Sequence, residues 1–284
     1  MQPVPQIVVF CDLDDTLFEP HTFAVDVLTR RAFARIEHEH LPIVLCSSKT
    51  RAELELIQQE LGINQPFICE NGAAAFVPRG YFGFSVAQAR DAAGYEVVEF
   101  GKTHAEIVAV LRRIAARVDI EIVGFSEMSV EDVAVDCDLS LLQARLAKLR
   151  EYSEKFRVVD AQPGALLRLF RGLNAGGLEC TSRGRYHFVG AICPDEGGRC
   201  LRALYRRAFG EIAIVAFGDH GSATTLLRRA DVPLVVRSAA DQTACLLARV
   251  PASRLSVADS LGTWAETILD IAGTVQSSRR SFTW

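Results

Sequence analysis

Residues 6–19 read QIVVFCDLDDTLFE, an apolar β-branched run that stops at Asp12, Asp14, Asp15 and Thr16. Ile7 to Cys11 carries no polar alternation, as expected of a parallel strand buried on both faces. Three carboxylates crowded at its carboxyl end repel one another, and a hard divalent cation such as Mg²⁺ offsets that repulsion. A calcium loop counted from Asp12 would need Gly at its sixth position and Glu at its twelfth. Those positions hold Leu17 and Phe23. A helix cap would use Asp15 or Thr16 alone and leaves the other carboxylates unexplained. The chemistry that fits the cluster is nucleophilic. On that reading Asp12 would attack phosphorus to give an aspartyl-phosphate, and Asp14 would protonate the leaving alcohol and then activate water.

The chain that carries this strand has 284 residues, which predicts two domains. Its hydrophobic fraction of 49% rules out a disordered protein. A net charge of −4 argues against nucleic acid as a partner. No apolar run is long enough for a membrane helix, and MQPVPQ lacks the regions of a signal peptide. The eight cysteines form no CxxC pair, so the expectation is a reduced cytoplasmic protein.

Further buried strands are expected at Pro42–Cys46, Phe67–Cys69, Ile212–Phe217 and Pro233–Val236, with helices between them. Most run into polar residues: Ser47-Ser48-Lys49-Thr50, Glu70-Asn71-Gly72 and Gly218-Asp219-His220. Thr50 and Glu53 have capping-box spacing for a helix closing near Gly62. This leaves Ser47 and Lys49 available to an anion. A hairpin is expected between Ala73 and Phe84. From about Tyr95 to Val189 the pattern becomes a mixture of strands and helices, including one capped by Thr103 and Glu106 and one over Ser140–Leu149. The reading is an α/β protein: a doubly wound, Rossmann-like parallel-sheet core at 1–84 and 191–284, with an inserted α+β cap at 85–190. In such sheets ligands bind at the carboxyl ends of the strands, which brings Asp12, Asp14, Ser47 and Asp219 to one crevice.

The Asp-x-Asp-x-Thr pattern at Asp12–Thr16 resembles the first motif of the haloacid dehalogenase superfamily, and the inserted cap resembles that of its subfamily IIB. Ser47–Glu53 and Glu70–Ala73 resemble motifs of the mannosyl-3-phosphoglycerate phosphatase family, as do Gly124–Ser129, Arg150–Phe156 and Arg183–His187. The resemblance implies that Asp12 is the nucleophile, Asp14 the acid and base, and Ser47 a phosphoryl ligand. It implies Mg²⁺ on Asp12, Asp219 and the main-chain carbonyl of Asp14. Arg150, Arg185 and His187 would meet a small phosphorylated sugar-glycerate, whose carboxylate suits a guanidinium fork.

Two positions depart from the family pattern. Glu196 follows Asp195 where a Lys is expected, and Ala223 stands where the family has a second Asp after Gly218-Asp219. Lys49, or Arg199 one turn into its helix, is the candidate substitute for the missing cation. The expected reaction is Mg²⁺-dependent release of phosphate from a glycosyl-3-phosphoglycerate. The alternatives are a phosphatase fold with an impaired site acting as a binding protein, and a phosphosugar mutase.

Overall fold

The computed structural model describes residues 6–13, 25, 27–191, 196–218, 224–236, 256–258 and 264–277. Strand β1 (Gln6–Asp12) lies in the middle of the larger of two sheets, between β2 (Ile43–Cys46) and β11 (Ile212–Gly218), parallel to both. Beyond β2 comes β3 (Phe67–Cys69), and beyond β11 come β12 (Val232–Val236) and β13 (Ser256–Ala258), all parallel. Three antiparallel strands then extend the sheet past β3: β4 (Ala74–Pro78), β6 (Tyr95–Glu99) and β5 (Arg90–Ala92).

The unbroken apolar run of β1 follows from its position. Ile7, Val9, Cys11 and Leu13 pack under one layer, formed by α1 (Val27–His38), α2 (Arg51–Leu61) and the helix Trp264–Ser277, here α9. Val8 and Phe10 pack under the other, formed by α7 (Glu196–Phe209) and α8 (Thr224–Arg229). A strand covered on both faces has no solvent side on which to place polar residues. The capping box of Thr50 and Glu53 forms as spaced, and Gly62 closes α2 with a left-handed φ of 72°.

The second sheet is antiparallel, in the order β7 (Ile120–Gly124), β8 (Ser153–Ala161), β10 (Tyr186–Gly190), β9 (Glu179–Arg183). One of its faces is covered by α3 (His104–Val118) and α6 (Ala165–Ala175) through Leu111, Leu169 and Leu173. The opposite face meets α4 (Val130–Cys137) and α5 (Leu141–Ala147) through Phe125, Val133, Ala144 and Tyr186. Thr103 and Glu106 make the predicted capping box on α3.

The strands at residues 90–99, within the span expected for the cap, pair into the large sheet. Helix α7 begins at Glu196, so that Gly197 and Gly198 lie inside its first turn, and α9 runs through Ser277. The early start of α7 uses Gly197: a Cβ there would lie 3.0 Å from Ile68, so the glycine allows the first turn close to β3. Among the described residues, no helix is long and apolar enough to cross a membrane.

Candidate active site

Asp12 is the last residue of β1 and is 6% exposed. It lies in register with Cys46, the last residue of β2, and Leu13 N donates to Cys46 O (3.0 Å). Ser47, also 6% exposed, therefore emerges from the neighbouring strand end. Adjacent strands lie about 4.8 Å apart, so a carboxylate and a hydroxyl flank the same edge. On the other side β11 ends at Gly218, directly before Asp219 in sequence. Asp14, Asp15, Thr16, Asp195 and Asp219 to Ala223 lie outside the described residues.

The loop after β2 is held by a second turn. Lys49 N donates to Ser47 Oγ (3.1 Å) and Ser47 N to Ile68 O (3.1 Å). Glu70 N and Asn71 N donate to Lys49 O (3.0 Å) and Ser47 O (3.1 Å). Glu70 and Asn71 take left-handed φ values of 46° and 61° to make these bonds. Such backbone is uncommon outside glycine and persists where the surroundings over-determine it. Lys49 is half-buried and leads straight into the Thr50 cap.

The Glu70 side chain reaches the other way, to the segment that enters β8. Its buried carboxylate accepts from Glu151 N (2.8 Å), Tyr152 N (3.2 Å) and Ser153 Oγ. It also lies 3.7 Å from Arg150 Nη1. Burial pushes its carboxyl above the ordinary range, against the pull of Arg150 and these donors. Thr50 Oγ1 donates to Leu146 O (3.0 Å), Arg51 Nε to Glu151 Oε1 (2.7 Å) and Tyr152 Oη to Glu99 Oε1 (2.6 Å). The loop after β2 and the segment entering β8 are thus tied by the buried Glu70 carboxylate, with the Thr50 and Arg51 bonds beside it.

The three residues expected to meet the rest of the substrate are placed differently from one another. Arg150 is buried, 5% exposed at its side chain. It donates to Ser153 Oγ (2.7 Å) and Ser48 O (3.4 Å) and stacks over Phe188. Its Nε is buried with no hydrogen-bond partner among the described residues. Arg185 is exposed and pairs with Asp136 (2.6 Å). His187 is buried on the α3–α6 side, between Phe156 and Phe170, with Nδ1 2.8 Å from Ser182 Oγ. Burial lowers its pKa below the ordinary 6.5. Strand alternation places Phe188 and Lys155 on the opposite face. Sequence reasoning passed over Lys155; its only signal was membership of the Arg150–Phe156 segment.

The candidate substitutes for the missing lysine also separate. Arg199 is 63% exposed, lies 3.7 Å from Glu196, and borders a cavity of about 260 Å³ between α7, α8 and β11. Lys49 stays at the Ser47 loop. A hard divalent ion prefers oxygen donors, and the Asp12 carboxylate at the strand end suits Mg²⁺. Among the described residues no group of three or more His, Cys, Asp and Glu side chains comes together.

Residues 9–89 match the family of haloacid dehalogenase-like hydrolases. The chain is 36% identical to a glucosyl-3-phosphoglycerate/mannosyl-3-phosphoglycerate phosphatase from Methanococcoides burtonii, over 81% of this chain and 84% of that one. It is 32% identical to a mannosyl-3-phosphoglycerate phosphatase from Pyrococcus furiosus, over 75% and 83%. In structure it resembles a haloacid dehalogenase-like hydrolase from Bacteroides thetaiotaomicron, with a TM-score of 0.65 at 14% identity over 93% and 99% of the two chains. A subclass IIB sugar phosphatase aligns with a TM-score of 0.60 at 15% identity over 93% and 98%. At these identities the structural likeness speaks for the fold.

Proposed function

Because the chain belongs to the glucosyl-3-phosphoglycerate/mannosyl-3-phosphoglycerate phosphatase family of haloacid dehalogenase-like hydrolases, we propose that it hydrolyses the phosphate ester of a glycosyl-3-phosphoglycerate. The observation that carries this reading is Asp12, buried at the end of β1 beside the loop of Ser47 and Lys49. One Asp12 oxygen attacks phosphorus and the ester P–O bond breaks, leaving an aspartyl-phosphate. Asp14 gives its proton to the departing glycerate oxygen. It then takes a proton from water as that water attacks the same phosphorus, releasing inorganic phosphate and regenerating Asp12.

Ser47 Oγ–H donates to a phosphoryl oxygen, while the backbone bonds from residues 70 and 71 hold its loop at the strand end. Lys49 supplies the positive charge that the family's absent lysine would have given, since the Glu196 and Arg199 side chains are both largely exposed. Asp12, Asp14 and Asp219 would hold Mg²⁺, which when bound neutralises charge on the phosphoryl group.

The test is phosphate release from mannosyl- and glucosyl-3-phosphoglycerate with Mg²⁺ and with EDTA. Release that EDTA abolishes is expected. No release from either compound overturns the reading, and tight binding without release would favour the impaired site that Glu196 and Ala223 suggest.

A further inference from the structure

Lys155 sits on β8, on the face of the small sheet turned away from α3 and α6. Its ammonium lies over three rings, Phe125 at 4.7 Å, Tyr186 at 4.6 Å and Phe188 at 5.2 Å. Its hydrogen-bond partner among the described residues is the Cys137 thiol, 3.9 Å away. The other cations of this face are engaged: Arg150 with Glu70, and Arg157 and Arg185 with Asp136. Lys148 donates to Phe125 O and Met128 O.

Lys155 therefore has aromatic stabilisation but no direct ion pair with a carboxylate among the described residues, Glu53 acting on it only from a longer distance. Cation–π contacts compensate only part of what an ammonium loses on leaving water. Burial accordingly lowers its pKa; Arg150 and Lys49 push the same way, while Cys137 and the Glu53 carboxylate push against it. The half-buried side chain remains open to a ligand. Lys49, on the Ser47 loop, acts electrostatically on Lys155, so a ligand carrying two anions would relieve the repulsion between the two ammonium groups.

We infer that Lys155 is a specificity-determining residue that binds the glycerate carboxylate of the substrate whose phosphate rests on Ser47 and Lys49. The inference rests on the reading of the substrate given under Proposed function. A glycosyl-3-phosphoglycerate carries its carboxylate and phosphate at opposite ends of a three-carbon unit, so both anions enter together. Three aromatic rings beside a half-buried ammonium lower the local dielectric, which strengthens a charge-assisted hydrogen bond to the carboxylate.

The experiment compares wild type, Lys155→Met and Lys155→Arg on mannosyl-3-phosphoglycerate and on p-nitrophenyl phosphate, which has no carboxylate. Lys155→Met is expected to lower kcat/KM on the glycerate ester by roughly 10- to 100-fold, the range for a hydrogen bond to a charged group. Most of the loss should fall in KM. The same variant should stay within about threefold on p-nitrophenyl phosphate, because reaction at the phosphoryl centre does not use this contact. Lys155→Arg should recover most of the loss. Equal losses on both substrates, or none on either, would overturn the assignment. A wild type that cleaves p-nitrophenyl phosphate but not the glycerate ester would instead remove the substrate reading, and the assignment with it.

Discussion

The two sheets present their functional groups by different geometry. In the large sheet the groups stand at strand ends, so Asp12 and Ser47 reach the same edge because β1 and β2 stop in register. In the small sheet they stand on a face, and a shift of one residue reverses the side that a side chain serves. His187 and Phe188 are neighbours in sequence, yet His187 packs on Phe170 and Phe188 lies under Lys155 and Arg150. A site at a strand end is located by the position where an apolar run stops. A site on a strand face needs strand parity, which a single sequence fixes poorly.

The most direct way to break this contrast is at the strand end itself. Asp12→Asn keeps the shape and removes the proposed nucleophile, so turnover should fall by at least about 10³-fold while the circular dichroism spectrum is unchanged. Appreciable turnover by the folded variant would take the chemistry away from the end of β1.

Glu70 joins the two regions, and its removal should be the largest stability effect. Glu70→Ala leaves Arg150 buried without its carboxylate and strips the acceptor from three donors. Breaking a buried pair in this way costs about 3–5 kcal/mol, measurable by urea unfolding. Glu70→Gln retains an acceptor and should cost less. If the two variants unfold together at the wild-type midpoint, the link between the loop and the small sheet is not energetic.

Lys49→Met should lower kcat/KM by about 10²-fold, as for loss of one preorganised electrostatic donor. Arg199→Met should stay within about threefold, since exposed pairs such as Arg199 with Glu196 contribute little. The reverse order would move the missing cation to α7.

Much of the large sheet was legible because its signals are local. The apolar runs of β1, β2 and β11 and the capping boxes of α2 and α3 lie within a few residues each. Residues 90–99 were harder: Arg90 and Asp91 are exposed, and nothing in that polar stretch tells which sheet it will pair with. The start of α7 was hidden by Gly197 and Gly198, poor helix formers that packing against Ile68 overrides. Lys155 was invisible for a different reason. Its cage draws on residues 125, 186 and 188, and the ion pairs that occupy the competing arginines appear only once the chain is folded.

The smallest expected effect tests strand parity alone. His187→Gln removes a ring from the α6 side of the small sheet, so KM and kcat on the best substrate should stay within about twofold. Its signature belongs in stability against pH. Burial holds folded His187 below 6.5, so as pH falls through 6.5 the unfolded chain takes up a proton that the folded chain refuses. The unfolded state then binds more protons, and stability declines as pH falls from 6.5 to the folded pKa, by at most about 1.4 kcal/mol per pH unit. Above 6.5 the ring is neutral in both states and contributes no slope. Urea unfolding of wild type at pH 7.5 and 5.5 should therefore show a larger drop than the glutamine variant does. A KM raised tenfold with the pH dependence of stability unchanged would place His187 on the substrate side, and the parity of β10 would have to be reassigned.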